Sequence, residues 1–172
     1  MSNVSIILAH PDKNSFNHAI ATAVLDTLAA NGNGINFHDL YEEGFDPMLH
    51  HPEFPKDASI PIEIQRHCEE ISSADGIIII HQNWWGQPPA VLKGWIDRVI
   101  RSGVAYEFLE GDSGECIPFG LLNANVGLVF NTSNTSLDRE SQVFGDPLER
   151  IWKDCVFGLL WCGNCRKKSV YH

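Results

Sequence analysis

One short run, Gly76-Ile77-Ile78-Ile79-Ile80, constrains this chain more than any other feature. Consecutive β-branched residues with no polar residue between them cannot turn one face to water, so the run is expected as a strand covered on both sides, at the centre of a sheet. Val4 to Leu8 has the same unalternating apolar character and is expected in the same sheet. After it, Ala19, Ile20, Ala23, Val24, Thr27 and Leu28 recur at helical spacing behind Asn14 or Ser15 as N-cap, and Asn31-Gly32-Asn33-Gly34 stops that helix. Ile35 to Leu40 reads as another strand. Pro61 opens a helix through Cys68 and Ile71 to near Ser73, and Pro88-Pro89 precede a helix to about Arg101 with Leu92, Trp95, Ile96, Val99 and Ile100 as its apolar stripe. Val126 to Phe130 is a fourth strand, and Glu140 to about Leu159 reads as a last helix that Gly145 and Pro147 interrupt or begin. Strands alternating with helices predict an α/β fold: a doubly wound parallel sheet with right-handed crossovers, in one domain over residues 1–172.

Two stretches lie outside this alternation. Residues 41–60 carry Gly44, Pro47, His50, His51, Pro52 and Pro55 and read as an irregular excursion anchored by Phe45, Met48, Leu49 and Phe54. Residues 103–125 read as loop with short extended pieces. Acidic residues number 22 against 12 basic, a net charge of −10, with basic residues clustered only at Arg166-Lys167-Lys168, so nucleic acid is not an expected partner. No apolar run approaches the roughly 20 residues of a bilayer span. Met1-Ser2-Asn3 leads directly into a strand, so a cytoplasmic location is expected.

The five cysteines are expected as reduced thiols acting as small core hydrophobes. Cys162-Gly163-Asn164-Cys165 lacks a second C-x-x-C and a preceding strand, which favours a reduced structural pair over a redox motif or half a zinc site. Adjacent His50-His51 reads as solvated or packed rather than metal-binding. Asp39 with Glu42 and Glu43, and Glu69 with Glu70, read as solvated acidic faces, and no carboxylate pair stands out for acid–base work.

Ligands of doubly wound sheets bind beyond the carboxyl ends of the strands. Three such ends carry chemistry. His10-Pro11-Asp12-Lys13-Asn14-Ser15-Phe16-Asn17 puts hydroxyl, amide and backbone N–H groups at a helix N-terminus, where a phosphate is favoured. The loop has neither the P-loop pattern nor G-x-G-x-x-G; an ordinary cap and turn would use the same residues. His81-Gln82-Asn83-Trp84-Trp85-Gly86 offers an aromatic platform, and Asn131 to Ser136 offers amides and hydroxyls for the polar edge of a heterocycle. Together the three loops form a mononucleotide or flavin site.

The same residues carry a resemblance. Ala9-His10-Pro11 with Ser15-Phe16-Asn17, Trp84-Trp85-Gly86, the helix Ala90-Val91-Leu92-Lys93-Gly94-Trp95-Ile96-Asp97-Arg98-Val99, and Ala105-Tyr106 are similar to the NAD(P)H:quinone oxidoreductases of flavodoxin-like fold, including the bacterial general stress protein 14 type. Phe144-Gly145-Asp146-Pro147-Leu148-Glu149, Trp152 and Cys162-Gly163 suit the bacterial members, and the likeness runs from Val4 to Gly163.

The resemblance implies a flavin, FAD or FMN, in a homodimer that passes electrons from NAD(P)H to a quinone or similar acceptor by a ping-pong route. By position, His10, Asn14, Ser15, Phe16 and Asn17 would hold the flavin's phosphate and ribityl portion. Asn83, Trp84, Trp85 and Gly86 would flank the ring, with Asn131 and Thr132 on the third loop. Trp85, Tyr106 and Phe108 would face substrate, the last two across the dimer. No side-chain nucleophile is required. The Tyr and His that assist hydride transfer in mammalian enzymes would fall near Asp138 and Phe144, and Ser169 to Tyr171 leave only a short or missing fifth strand. The competing readings are a flavodoxin-like electron carrier, favoured by the acidic charge, and a regulatory flavoprotein subunit of an ion-efflux system.

Overall fold

The computed structural model describes residues 1–110, 116–161 and 168–171. Its centre is β3 (Gly76–Gln82), every residue of which is buried. The strand extends two residues past the isoleucine run, through His81 and Gln82. β1 (Asn3–Ala9) pairs with it in parallel, and β2 (Gly34–Asp39) flanks β1. On the other side lie β6 (Val126–Thr132) and β7 (Lys168–Tyr171), giving a five-stranded sheet in the order β2-β1-β3-β6-β7. The fifth strand is therefore present, as a short one. Omitting the hairpin formed by β4 (Tyr106–Glu110) and β5 (Cys116–Gly120), this is the flavodoxin-like order of a doubly wound sheet.

Alternation along the strands divides the core in two. Val4, Ile6, Leu8, Ile78 and Ile80 face α1 (Phe16–Ala30) and pack with Ala21. Ile7, Ala9, Ile77, Ile79 and Val129 face α2 (Ile62–Ser73), α3 (Ala90–Val99) and the helical segment after β6, joining Ile64, Ile71, Trp95, Trp152 and Phe157. Each fully buried side chain of this size stabilises the fold by about 1.5–3 kcal/mol.

The excursion at 41–60 is anchored differently from the apolar reading. Phe45 is buried, but Met48 and Phe54 are exposed. The clamp is ionic: Arg98, on α3, donates to both carboxylate oxygens of Glu53 at 3.0 and 2.8 Å and to the Asp46 carbonyl at 2.7 Å. Arg98 and Glu53 are both buried, so removing either partner is expected to cost about 3–5 kcal/mol. Gly94 permits the contact, since a Cβ there would lie 2.2 Å from the Pro47 carbonyl oxygen.

The last helix is not continuous. α4 (Leu137–Arg139), capped by Ser136, gives way to a π-helical turn, Glu140–Phe144, which ends at Gly145 with φ of 72°. Asp146 then caps α5 (Pro147–Arg150), a second π turn spans Ile151–Val156, and α6 (Phe157–Leu160) follows. Gly145 supplies the left-handed stop, and Pro147 lacks the N–H needed to continue a helix. Cys68 is buried as expected, Cys155 is exposed, and the Cys162/Cys165 pair lies outside the described residues. No helix among the described residues is long and apolar enough to cross a membrane.

Candidate active site at the strand ends

The carboxyl ends of β1, β3 and β6 converge on a cleft of about 1020 Å³. Its walls include His10, Ser15, Phe16 and Asn17 from the first loop, Asn83, Trp84, Trp85 and Gly86 from the second, and Thr132 from β6. The structure thus brings together residues far apart in sequence. Asn14 stays outside the lining. Asn131 does too, because it shares a face of β6 with Val129, whereas Thr132 shares the α1 face with Phe130. Tyr106 and Phe108 sit on β4 as an edge-to-face pair, centroids 5.5 Å apart, and are not part of this chain's own cleft.

The first wall is the start of α1. Ser15 is the N-cap: its Oγ accepts from the backbone N–H of His18 at 3.3 Å. The first N–H groups of a helix have no intrahelical partner, so this end favours an anion. Asn17 is 1% exposed and donates through Nδ2 to Thr132 Oγ1 at 2.9 Å, leaving its Oδ1 without a partner. Gln82, 5% exposed, has neither Nε2 nor Oε1 paired. Unpaired polar atoms this deeply buried are costly, about 1–3 kcal/mol each, unless a ligand completes them.

The second wall is a two-residue hairpin turn. Trp84 and Gln87 exchange both backbone hydrogen bonds at 3.1 Å, with Trp85 and Gly86 at φ of 59° and 70° between them. Positive φ at both central positions is the turn that matches strand twist, and it suits glycine. A tryptophan held there is under strain, and its ring is 99% exposed. Asn83 holds the turn by accepting from the Gly86 N–H at 2.9 Å, and its own amide donates to Glu140 Oε1 at 3.1 Å.

Sequence reasoning missed several lining residues: Gln82, Glu140, Val143, Phe144 and Pro147. Gln82 was recoverable, since counting the alternation two residues past Ile80 puts it on the α1 face. Glu140 was not. It is buried, accepts from Asn83 and from Ser133 Oγ at 3.1 Å, and reaches the cleft only because the chain turns into a π-helix there.

Histidines organise the surroundings. His81 donates from Nδ1 to the Gln82 carbonyl at 2.8 Å and accepts the Trp152 indole N–H at Nε2, 2.9 Å away. Burial pushes its pKa down to about 4, so it is neutral at pH 7. Of the acidic residues read as solvated faces, Glu42 and Glu69 are exposed as expected, whereas Asp39, Glu43 and Glu70 are partners of histidines. Asp39, on β2, is buried and bonds His18 Nε2 at 3.0 Å. His38 lies between Glu43, 2.8 Å from Nδ1, and Glu70 at Nε2. Burial pulls the His38 pKa down, but the two carboxylates outweigh it and hold it above its ordinary value. Burial likewise raises Glu43, and its bonds to His38 and His67 overcome this, bringing it to about 2.

His38, Glu43 and His67 offer ligand atoms within 4.8 Å of one another. The surrounding hydrogen bonds oppose a metal. Trp95, 2% exposed, donates its indole N–H to His67 Nδ1 at 3.2 Å, which requires a lone pair there. A metal on Nε2 would need a proton on Nδ1, facing that indole N–H. The cluster is instead a hydrogen-bonded network around His38 and its two carboxylates, with the Nε2 of His67 3.5 Å from Glu43.

The flavodoxin-like fold family matches residues 2–161. A Haemophilus influenzae protein named as an uncharacterized NAD(P)H oxidoreductase is 35% identical over 166 residues, covering 94% of this chain and 78% of its own length. The rat NAD(P)H dehydrogenase [quinone] 1 is 30% identical over 122 residues, 60% of this chain and 44% of the rat enzyme. The chain belongs to the flavodoxin-like NAD(P)H:quinone oxidoreductase family. It is an oxidoreductase by that membership. The fold agrees with the solved NAD(P)H:quinone oxidoreductase of Methanothermobacter marburgensis, with a TM-score of 0.77 at 24% identity over 99% of this chain and 82% of that one.

Proposed function

We propose that this flavodoxin-like oxidoreductase binds a flavin, FAD or FMN, in the strand-end cleft and carries electrons from NAD(P)H to a quinone. The single observation that supports this most is the lining itself: an anion-favouring helix start, unpaired buried atoms on Asn17 and Gln82, and an exposed indole at Trp85 surround one cavity. These donors and acceptors fit a phosphorylated heteroaromatic ring. When bound, the flavin supplies the hydride chemistry. The chain supplies position. Ser15 and the first N–H groups of α1 take the phosphate, Asn17 and Gln82 take polar atoms of the flavin, and Trp84 and Trp85 present flat apolar surface that excludes water from one side. Asn83 and Glu140 fix the turn that carries both tryptophans. His10, with its Nδ1 accepting the Asp12 backbone N–H at 3.1 Å, stands at the mouth.

In this reading the chain acts in the cytoplasm as one domain and as a homodimer. The hairpin exposes apolar residues on both of its faces, Leu109 and Phe119 on one and Phe108, beside Tyr106, on the other, which favours burial against a second copy and brings Tyr106 and Phe108 toward the other copy's cleft. The purified chain, incubated with FAD or FMN, is expected to oxidise NADH or NADPH at a rate that depends on added quinone. If neither flavin produces quinone-dependent oxidation with either nucleotide, the proposal fails.

A further inference from the structure

Ser15 is joined to a second, less obvious chain of hydrogen bonds. Its Oγ lies 3.0 Å from His18 Nδ1, and His18 Nε2 lies 3.0 Å from Asp39 Oδ2. The other Asp39 oxygen accepts the backbone N–H groups of Tyr41 and Glu42 at 3.1 and 3.2 Å, so this carboxyl is an acceptor throughout. The proton between His18 and Asp39 therefore sits on Nε2, and the state of Nδ1 decides what Ser15 can do.

Two arrangements satisfy these distances. With His18 neutral, Nδ1 accepts the serine hydroxyl, and Ser15 turns only lone pairs toward the cleft. With His18 protonated, Ser15 Oγ accepts from both Nδ1–H and the His18 backbone N–H, and its O–H is free to donate into the cleft. The first arrangement repels an anion; the second binds one.

The geometry points to a proton-coupled phosphate site: a phosphorylated ligand at the start of α1 brings one proton onto His18, and the relay Asp39–His18–Ser15 selects phosphorylated over unphosphorylated flavin. This deepens the flavin reading and rests on it. An independent sign that a ligand belongs here is the unpartnered Asn17 Oδ1, two residues along in the same wall.

The charges around His18 suit such a switch. Asp39, from β2, is the carboxylate that meets Nε2. The positive end of α1 lies beside the ring, since His18 is in the first turn. His10, from the preceding loop, stands edge-on with its centroid 6.3 Å away. Lys13 and Glu42, paired at 2.6 Å, add charges of both signs near Asp39. An incoming phosphate cancels the helix-end field and tips the balance.

The test compares FAD, FMN and riboflavin binding by calorimetry between pH 5.5 and 9, in buffers of different ionisation enthalpy. FAD is the cleanest probe because its pyrophosphate holds no titrating proton in this range. The expected result is uptake of up to one proton with the phosphorylated flavins, and an affinity that falls by as much as about tenfold per pH unit on the alkaline side. Riboflavin affinity should stay flat. His18→Gln should remove the proton uptake and flatten the pH profile while leaving riboflavin binding in place, and Ser15→Ala should likewise lose the proton uptake; any phosphate titration of FMN itself persists in both. Phosphorylated flavins that bind with no proton uptake, or with a pH profile identical in wild type and His18→Gln, overturn the coupling and leave the flavin site standing. Absence of binding by all three overturns both.

Discussion

His38 and Asp39 are neighbours on β2, yet the pleat sends them to opposite faces and into opposite circumstances. His38 faces α2 and α3, and its ring is closed in by Glu43, Glu70 and the His67 ring, whose centroid is 3.9 Å away. Asp39 faces α1 and holds His18, whose other nitrogen meets the serine that lines the cleft. Both residues are themselves buried, and each anchors a histidine–carboxylate contact. In the first, every polar atom finds a partner inside the protein, so the network serves cohesion; in the second, the chain of bonds ends on a hydroxyl with a bond to spare. Where a hydrogen-bond network stops at a cavity is more informative about function than how many ionisable groups it holds.

That contrast can be broken most forcefully on the sealed side. His38→Ala leaves two carboxylates facing each other and should cost about 3 kcal/mol or more, read by urea unfolding. Flavin affinity of the folded fraction should not change. Asp39→Ala removes a partner of His18 and the acceptor for two turn N–H groups. It should cost about 1–2 kcal/mol in stability, and it should weaken FAD or FMN binding by about tenfold while sparing riboflavin. If His38→Ala weakens flavin binding as much as Asp39→Ala does, the division of labour is wrong.

Stability against pH sharpens the same division. His38 sits above its ordinary value, so its contribution is complete below about pH 6.5 and is lost as pH rises through its folded value. Glu43 sits near 2, so its contribution is complete above about 4.5 and is lost as pH falls toward 2. The stability difference between wild type and His38→Ala should therefore be widest between about pH 4.5 and 6.5. His81 acts in the opposite sense to His38 on acidification. Its depressed pKa means the unfolded chain binds a proton that the folded one refuses, a penalty that grows as pH falls from 6.5 toward 4. Replacing His81 with Gln should reduce that acid sensitivity in melting experiments.

The smallest stability effect is expected at the cleft. Trp85→Gly relieves the strain of a positive φ but adds freedom to the unfolded chain, so stability should change by less than about 1 kcal/mol. Flavin-dependent turnover should nevertheless drop sharply, because the exposed ring is lost. Function would then be separated from stability at a single position.

The sheet was legible because it rests on the strongest signal a sequence carries, unbroken apolar strands between periodic helices. The three loops followed from strand order, and most of their residues do line one cleft. What escaped has definite physical causes. The acidic residues at 39, 43 and 70 looked solvated because each one's histidine partner lies on another element or beyond local reach; His38 and Glu70 are 32 positions apart. Met48 and Phe54 looked like anchors because hydrophobicity says nothing about a buried arginine, and it is Arg98 that ties the excursion down. Asn131 looked equivalent to Thr132, but a strand that runs two residues further than expected puts its side chain on the other face. Glu140 reached the cleft through a π turn that no spacing rule foretells.

Gly86 faces Pro147 so closely that a Cβ would stand 2.7 Å from the proline ring. The tip of the tryptophan turn and the first residue of α5 thus abut like a door against its jamb. Any side chain larger than hydrogen at this point would wedge the two walls apart, so the gauge of the slot is set by an absent methyl group, and admission to it is a matter of thickness.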